Sequence, residues 1–383
     1  MPERLYLDHN ATSPLRPEVR DAMLAVMDGA HNPSSTHSEG RAGKRHLEQA
    51  RGVIAEILGA QKEGVIFTSG GTEAANMALY GLLHGPAEVG RIFVSAIEHD
   101  AVAAAARALA ADHYVTLETV PVTGHGVIDL DWLERRMREY DPEADGGFLI
   151  ACMLANNETG VIQPVEKLGP MVWPKGGFIF VDAVQGFGKL AIDFASSGAD
   201  LMGIGAHKVG GPVGVGALLT KPGIGLAPLM RGGGQELGRQ AGTENIAAIA
   251  GFAKAAELAR PEDYAGLAAL RDRIEKGLPD TVSIWGQHAR RLPNTTCFSA
   301  PGFTSETQVM TMDLAGAAIS AGSACSSGKV RKSGVLEAMG ADEDEAGSAI
   351  RVSLGWTNTQ EDAESFLRLW TKEYERIAGR TAA

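Results

Sequence analysis

Cysteine is scarce in this chain: Cys152, Cys297 and Cys325 are the only three in 383 residues, an odd number with no CxxC spacing. Neither a disulfide framework nor a self-contained zinc site is indicated, and a reducing cytoplasm is the expected compartment. Long apolar runs are missing too. No stretch reaches the ~18 apolar residues that a membrane span requires, and the N-terminal MPERLYLDHNATSP lacks the apolar core of a signal peptide. An excess of basic charge is absent as well. The net charge of −12 argues against nucleic acid or an anionic membrane as the main partner. No internal repeat or low-complexity segment is found.

The composition that remains, 44% hydrophobic and 21% charged, is that of a soluble globular chain long enough for two domains. Pro17 opens a helix with Val19, Met23, Val26 and Met27 on one face and Gly29 beyond its end. A loop, HNPSSTHSEG, precedes a second helix through Leu47, Ile54, Ile57 and Leu58. Strand patterns follow at 65–68, 92–95, 114–120, 148–154, 178–181 and 201–204, with helical patterns between most of them. That alternation predicts an α/β fold with a mostly parallel sheet wrapped by helices. Near Ala255 to Tyr264 the pattern changes to a break, a helix, two or three β runs and C-terminal helices. The expected division is a large domain over 15–257 and a smaller α+β domain over 258–383, with 1–14 packing on the smaller one.

The glycine-dense run LMGIGAHKVGGPVGVGALLT holds one lysine, Lys208, between two short apolar runs, so a turn flanked by strands is expected to carry His207 and Lys208. A lysine drawn out of bulk water there is either a nucleophile or Schiff-base former, or simply a solvated turn residue. Upstream, GFIFVDAVQGFGKL reads as a buried strand ending on Asp182, with Gln185 just beyond and about one helical crossover separating it from the lysine. Asp and Lys at neighbouring strand ends match pyridoxal phosphate: the carboxylate keeps the pyridine nitrogen protonated and the amine forms the imine. Taken alone, Asp182 is equally a cap or turn residue.

Other strand ends add polar groups. FTSGGTEAANMALYGLL passes from strand to helix through Ser69, Gly70, Gly71 and Thr72, where glycines admit a ligand close to the backbone and first-turn N–H groups hold an anion. SAIEHDAV places His99 after a strand, either flat against a planar ring, as a proton shuttle, or as a buried structural histidine. MLANNETGVIQP offers Asn156, Asn157 and Glu158. In AISAGSACSSGKV, Cys325 lies among small residues with Lys329 and Arg331 nearby, a setting that favours the reactive thiolate. Arg351 in SAIRVSLG suits either a substrate carboxylate or a salt bridge. Convergence of four strand ends is stronger evidence than any one motif.

With these motifs assembled, the chain resembles a cysteine desulfurase of the class V aminotransferase superfamily, the type that supplies sulfur for iron–sulfur clusters. The likeness runs through YLDHNATSP, NPSSTH, TSGGTEAAN, ANNETGVIQP, VDAVQ, AHKVGGP, GGGQE with GTEN, LPNT, GSACSSG and IRVSLG, in one order over nearly the whole chain. It implies a fold-type I enzyme in which Lys208 carries the pyridoxal phosphate, Asp182 faces the pyridine nitrogen and His99 stacks on the ring. By the same likeness Asn157 and Gln185 contact the ring substituents or the substrate, and Gly71, Thr72 and His207 line the phosphate. Thr243 reaches the phosphate of the neighbouring subunit in similar enzymes, which implies a homodimer. Arg351 holds the carboxylate of L-cysteine. Cys325 is the sulfur acceptor and a candidate transient iron–sulfur ligand, with no intrinsic metal site and a sulfur-acceptor or scaffold protein as partner. The GSACSSG loop resembles the group with a longer cysteine loop. One departure concerns Gly205, which stands where the family often has a serine that binds the phosphate. Rival readings are another fold-type I enzyme, such as an aminotransferase or selenocysteine lyase, and a non-enzymatic scaffold with a degenerate cofactor site.

Overall fold

The computed structural model describes residues 4–113, 115–322 and 332–381. Its strands are β1 (Leu5–Tyr6), β2 (Val65–Thr68), β3 (Val89–Ser95), β4 (Thr116–Val120), β5 (Gly147–Met153), β6 (Phe178–Asp182), β7 (Leu201–Gly205), β8 (Gly216–Thr220), β9 (Ser283–Ile284), β10 (Thr295–Ser299), β11 (Ala317–Ala318), β12 (Ser320–Ala321) and β13 (Ala349–Ser353). Seven of them form one sheet in the order β2-β8-β7-β6-β5-β3-β4. Every neighbouring pair from β7 to β4 is parallel, and only β8 runs antiparallel to both of its neighbours. The central strands read as unbroken apolar runs because both sheet faces are covered. One face packs a core around Phe93, Phe148, Phe187 and Phe252, and the other a core around Ala74, Ala78, Leu82 and Phe180.

The helices that matter for the site are α1 (Pro17–Met27), α2 (Ser38–Ile57), α3 (Gly71–Leu83) and α4 (Asp100–His113). Pro17 stands at the start of α1, where a missing N–H costs nothing. His37 accepts from the Gly40 N–H and caps α2. The expected loop over 31–40 therefore loses its last three residues to α2. The parallel pair β6 and β7 is joined differently from the expected helical crossover: residues 183–200 form turns and no helix. Gly186 and Gly188, the latter left-handed at φ 70°, break the helical repeat here. Consecutive turn bonds, Phe187 N–H to Ala183 O at 2.8 Å and Leu190 N–H to Gly186 O at 3.0 Å, take its place. The result carries Gln185 and Lys189 inward.

After helix Ile246–Leu258 the chain builds a second sheet, β12-β13-β10-β9, all antiparallel. Its strands are interleaved with helices rather than grouped ahead of them. Phe298, Phe303, Phe366 and Trp370 form its core, and the same cluster takes Leu7 from the N-terminal segment. Just before Leu7, β1 pairs in parallel with β11. The first residues thus run from this C-terminal core toward the carboxyl ends of the large sheet.

Candidate active site

A cavity of about 340 Å³ opens at the carboxyl ends of β2, β3, β5, β6 and β7, where open α/β sheets bind ligands. Its size falls within the ~300–1,000 Å³ usual for small-molecule sites. Gly71, Thr72, His99, Asn157, Asp182, Gln185, His207, Lys208 and Arg351 all line it. Gly205, at the expected phosphate position, does not, nor does Thr243, whose expected contact is the neighbouring subunit's phosphate. A Cβ on Gly205 would meet the His207 ring at 3.5 Å and Val184 at 3.7 Å, both of which line the cavity, and Thr243 is exposed in the segment that precedes helix Ile246–Leu258. Cys325, with Lys329 and Arg331, falls outside the described residues.

Lys208 stands in the short turn Ala206–Lys208 after β7, and its Nζ donates to the carbonyls of Asn10 at 2.6 Å and Ala11 at 2.7 Å. The neighbouring His207 is driven down to about 4 by burial first and by the Lys208 and Lys189 amines next, so its imidazole is neutral near pH 7. Asp182 ends β6, and its Oδ1 accepts the Val184 N–H at 2.9 Å. Burial raises its pKa, while that N–H, His99 and Lys208 oppose the rise. Behind it, burial and then the Asp182 carboxylate push Glu98 well above the usual carboxylate range. Both buried carboxyls thus have a raised affinity for a proton, Glu98 the more strongly.

The Ala101 N–H donates to His99 Nδ1 at 3.1 Å, which leaves the proton of the neutral ring on Nε2. The ANNETG turn splits Asn156, Asn157 and Glu158 among different tasks. Asn156 is fully buried and closes the turn, its Oδ1 accepting the N–H groups of Glu158 and Thr159 at 2.9 Å each. Asn157 faces the cavity. Glu158 turns away and accepts from Ser333 Oγ at 2.5 Å. Arg351, on β13, donates from Nη1 to Asn157 O at 2.9 Å and from Nη2 to Asp8 Oδ1 at 2.6 Å. Among the described residues, three of its five N–H protons have no partner, one on each terminal nitrogen and one on the buried Nε.

The Gly70–Gly71 step fits a phosphate. Gly70 holds φ 155° and ψ −177°, a conformation reserved to glycine, and a Cβ on Gly71 would lie 2.4 Å from Val184 Cγ2. The first-turn N–H groups of α3 have no partner inside their own helix and would suit an anion at this end. The donor set as a whole matches pyridoxal phosphate: an amine, a carboxylate, a planar imidazole and an anion cradle around one cavity. Among the described residues no group of three or more His, Cys, Asp or Glu is disposed to hold a metal, and no helix is long and apolar enough to cross a membrane.

Two residues of this site escape a motif reading. Asn10 uses all of its side-chain polar atoms, donating to Thr295 Oγ1 at 2.9 Å and Asn157 O at 3.3 Å and accepting from Lys189 and Asn294. Lys189 is 2% exposed. A lone lysine inside the apolar GFGKLAI was the one available signal for it.

The whole-chain comparisons agree with this geometry. The aminotransferase class-V family model matches residues 5–366. A cysteine desulfurase of Cereibacter sphaeroides is 40% identical over 94% of this chain and 93% of its own length, and a cysteine desulfurase IscS of Dictyoglomus turgidum is 38% identical over 98% and 96%. Among solved structures, a NifS-like protein from Rickettsia africae superposes with a TM-score of 0.88 at 34% identity, covering 97% of this chain and all of that one. SspA in complex with cysteine gives 0.79 at 30% identity, over 91% and 98%. These likenesses extend from β1 to the last helix and enclose every residue of the cavity, and the chain belongs to the class-V aminotransferase family, among its cysteine desulfurases.

Proposed function

We propose that this protein is a pyridoxal-phosphate-dependent cysteine desulfurase that converts L-cysteine to L-alanine and passes the sulfur to Cys325 as a persulfide. The observation that carries this reading is the convergence of Lys208, Asp182, His99, Gln185 and Arg351 on one cavity beside a glycine cradle at a helix N-terminus. Pyridoxal phosphate, when bound, supplies an electron sink for the substrate α-carbon. Thr72, the α3 N–H groups and His207 would hold its phosphate, and Asp182 its ring nitrogen. The Lys208 amine would remove the substrate α proton as a general base. The free Nη protons of Arg351 take the substrate carboxylate and set the α-carbon before that amine. His99, protonated at Nε2, returns a proton to the product.

At the sulfur, the Cys325 thiolate forms an S–S bond with the substrate Sγ as the Cβ–S bond breaks. The electron pair of the broken bond stays with the carbon fragment, which takes up protons and leaves as alanine. The persulfide then goes to an acceptor or iron–sulfur scaffold protein, in the cytoplasm. The reading includes a homodimer in which Thr243, exposed and outside its own cavity, reaches the partner subunit's cofactor phosphate. It also includes the division into 15–257 and 258–383, with 1–14 on the smaller part.

The test is sulfide and alanine release from L-cysteine by the purified, yellow protein in the presence of a thiol. Equimolar products are expected. Cys325→Ser is expected to keep the spectral change on adding cysteine while sulfur transfer stops, since a hydroxyl is a far poorer attacker of sulfur than a thiolate. Alanine formation by that variant at close to the wild-type rate would remove Cys325 from the acceptor role, and keto-acid production would favour an aminotransferase.

A further inference from the structure

Lys189 is a buried amine with no acidic partner among the described residues. It sits in the helix-free connection 183–200, 2% exposed, and its Nζ donates to Asn10 Oδ1 at 2.8 Å and to Gln185 Oε1 at 2.9 Å. Both acceptors are neutral amide oxygens. Burying an amine against such weak partners costs stability, and such groups persist where they specify an arrangement. The arrangement is visible in what the two amides do with their other ends.

An amine that donates to both amides forces their oxygens toward itself and their NH2 groups away. Gln185 accordingly points Nε2 at Asn10 O, 2.9 Å distant. That same carbonyl accepts Lys208 Nζ at 2.6 Å. Asn10, turned the same way, directs Nδ2 to Thr295 Oγ1 and to Asn157 O, and Asn157 O is also the acceptor for Arg351 Nη1 at 2.9 Å. One amine thus sets two amide orientations. Through them it touches the seat of Lys208, the cavity face of Gln185 and the carbonyl that steadies Arg351.

We propose that Lys189 is a positioning residue for the reaction: by fixing Asn10 and Gln185 it determines the direction of the Gln185 N–H groups and the place of the carbonyl that holds Lys208. The two donations need only two protons. Burial first, then the Lys208 and Arg351 cations, push the Lys189 pKa well down, and a neutral amine still performs the task.

This inference rests on the reading of the cavity as a pyridoxal phosphate site, so the test uses cofactor affinity and a double-mutant cycle rather than turnover. Apparent dissociation constants for pyridoxal 5′-phosphate are measured by absorbance titration of the stripped full-length protein, for wild type, Lys189→Met, Gln185→Ala and the pair. Lys189→Met is expected to weaken binding about tenfold, the size of one lost hydrogen bond, with no further loss when Gln185→Ala is added. A Lys189→Met affinity within about twofold of wild type, or losses that multiply in the double variant, would overturn the proposal. Multiplying losses accompanied by a lower melting temperature would mark a merely structural lysine. If Lys189→Met does not fold, Lys189→Leu, which likewise offers no donor, enters the same cycle under the same criterion. Wild-type protein that takes up no pyridoxal phosphate would overturn the reading of the cavity itself, a result distinct from additivity in a protein that does bind.

Discussion

Gly205 shows how a single backbone angle decides a substitution. Its φ is −141° and ψ 141°, extended backbone open to any residue, and an added Cβ would meet the His207 ring at 3.5 Å and Val184 at 3.7 Å, ordinary contacts. Neither strain nor a close neighbouring chain segment requires glycine here. Gly205→Ser is therefore expected to fold normally and place a hydroxyl beside His207 at the cavity wall. A hydrogen bond to a charged group contributes about 1.5–3 kcal/mol, so pyridoxal phosphate affinity should rise roughly ten- to a hundredfold. Equilibrium titration reads this, and an unchanged constant would show that another donor already serves the phosphate. Glu158 offers a pH test. Burial raises its pKa to about 7, against the opposing pull of the Ser333 hydroxyl, Arg351 and His99. The folded chain then holds a proton that the unfolded chain, near 4.3, has released, so stability falls as pH rises from about 4.5 through 7. Up to about 3.5 kcal/mol is involved at 1.36 kcal/mol per unit. Melts at pH 5 and pH 8 should show wild type losing ground to Glu158→Gln at the higher pH. Parallel curves would count against the buried, raised carboxyl.

At the scale of elements, the start of α3 carries the sharpest expectation. Gly71→Ala puts a methyl 2.4 Å from Val184 Cγ2, which forces either the cradle or the 183–200 connection to shift. Cofactor affinity should fall by about tenfold for a cost on the order of 1–3 kcal/mol, and Val184→Ala added to it should recover most of the loss. Failure of the second change to rescue the first would place the defect in the N-terminal turn of the helix rather than in the packing against Val184. The elements themselves were largely legible. Pro17, the Gly70–Gly71 break and the apolar runs of β5, β6 and β7 mark their own boundaries, because capping, glycine conformations and burial on both sheet faces are local or nearly local preferences. The 183–200 connection was misread as helical because length and parallel pairing favour a helix there, whereas Gly186, Gly188 and the inward demand of Gln185 and Lys189 won.

At the scale of the molecule, the N-terminal segment ties the two cores together through Asp8 and Asn10. Asp8 accepts from Arg351 at 2.6 Å, with the arginine side chain 3% and the aspartate 19% exposed. Removing the acid leaves a buried guanidinium unpaired, a change that costs about 3–5 kcal/mol in fully buried cases and less where one partner meets water. Asp8→Ala is expected to lower the denaturant midpoint by about 2–3 kcal/mol of stability and to raise KM for L-cysteine, because Arg351 loses its fixed orientation. A KM unchanged with stability reduced would confine Asp8 to holding the fold.

What the sequence by itself determined is the alternating α/β pattern, the strand ends that carry Asp182, His99, Asn157 and Lys208, and the glycine step before α3, since each depends on residues close in the chain. It also marked Arg351, which lines the same cavity. Only the tertiary structure decided which polar residues of a motif face the cavity: Asn157 does, while Asn156 closes a turn and Glu158 turns toward Ser333. Only it brought Asn10 and Lys189 to Lys208, from positions 198 and 19 residues away, and left Gly205 outside the cavity lining. The physical reason is that a buried hydrogen bond is chosen by whichever partner the folded chain delivers within about 3 Å, and periodicity along one strand carries no record of that partner.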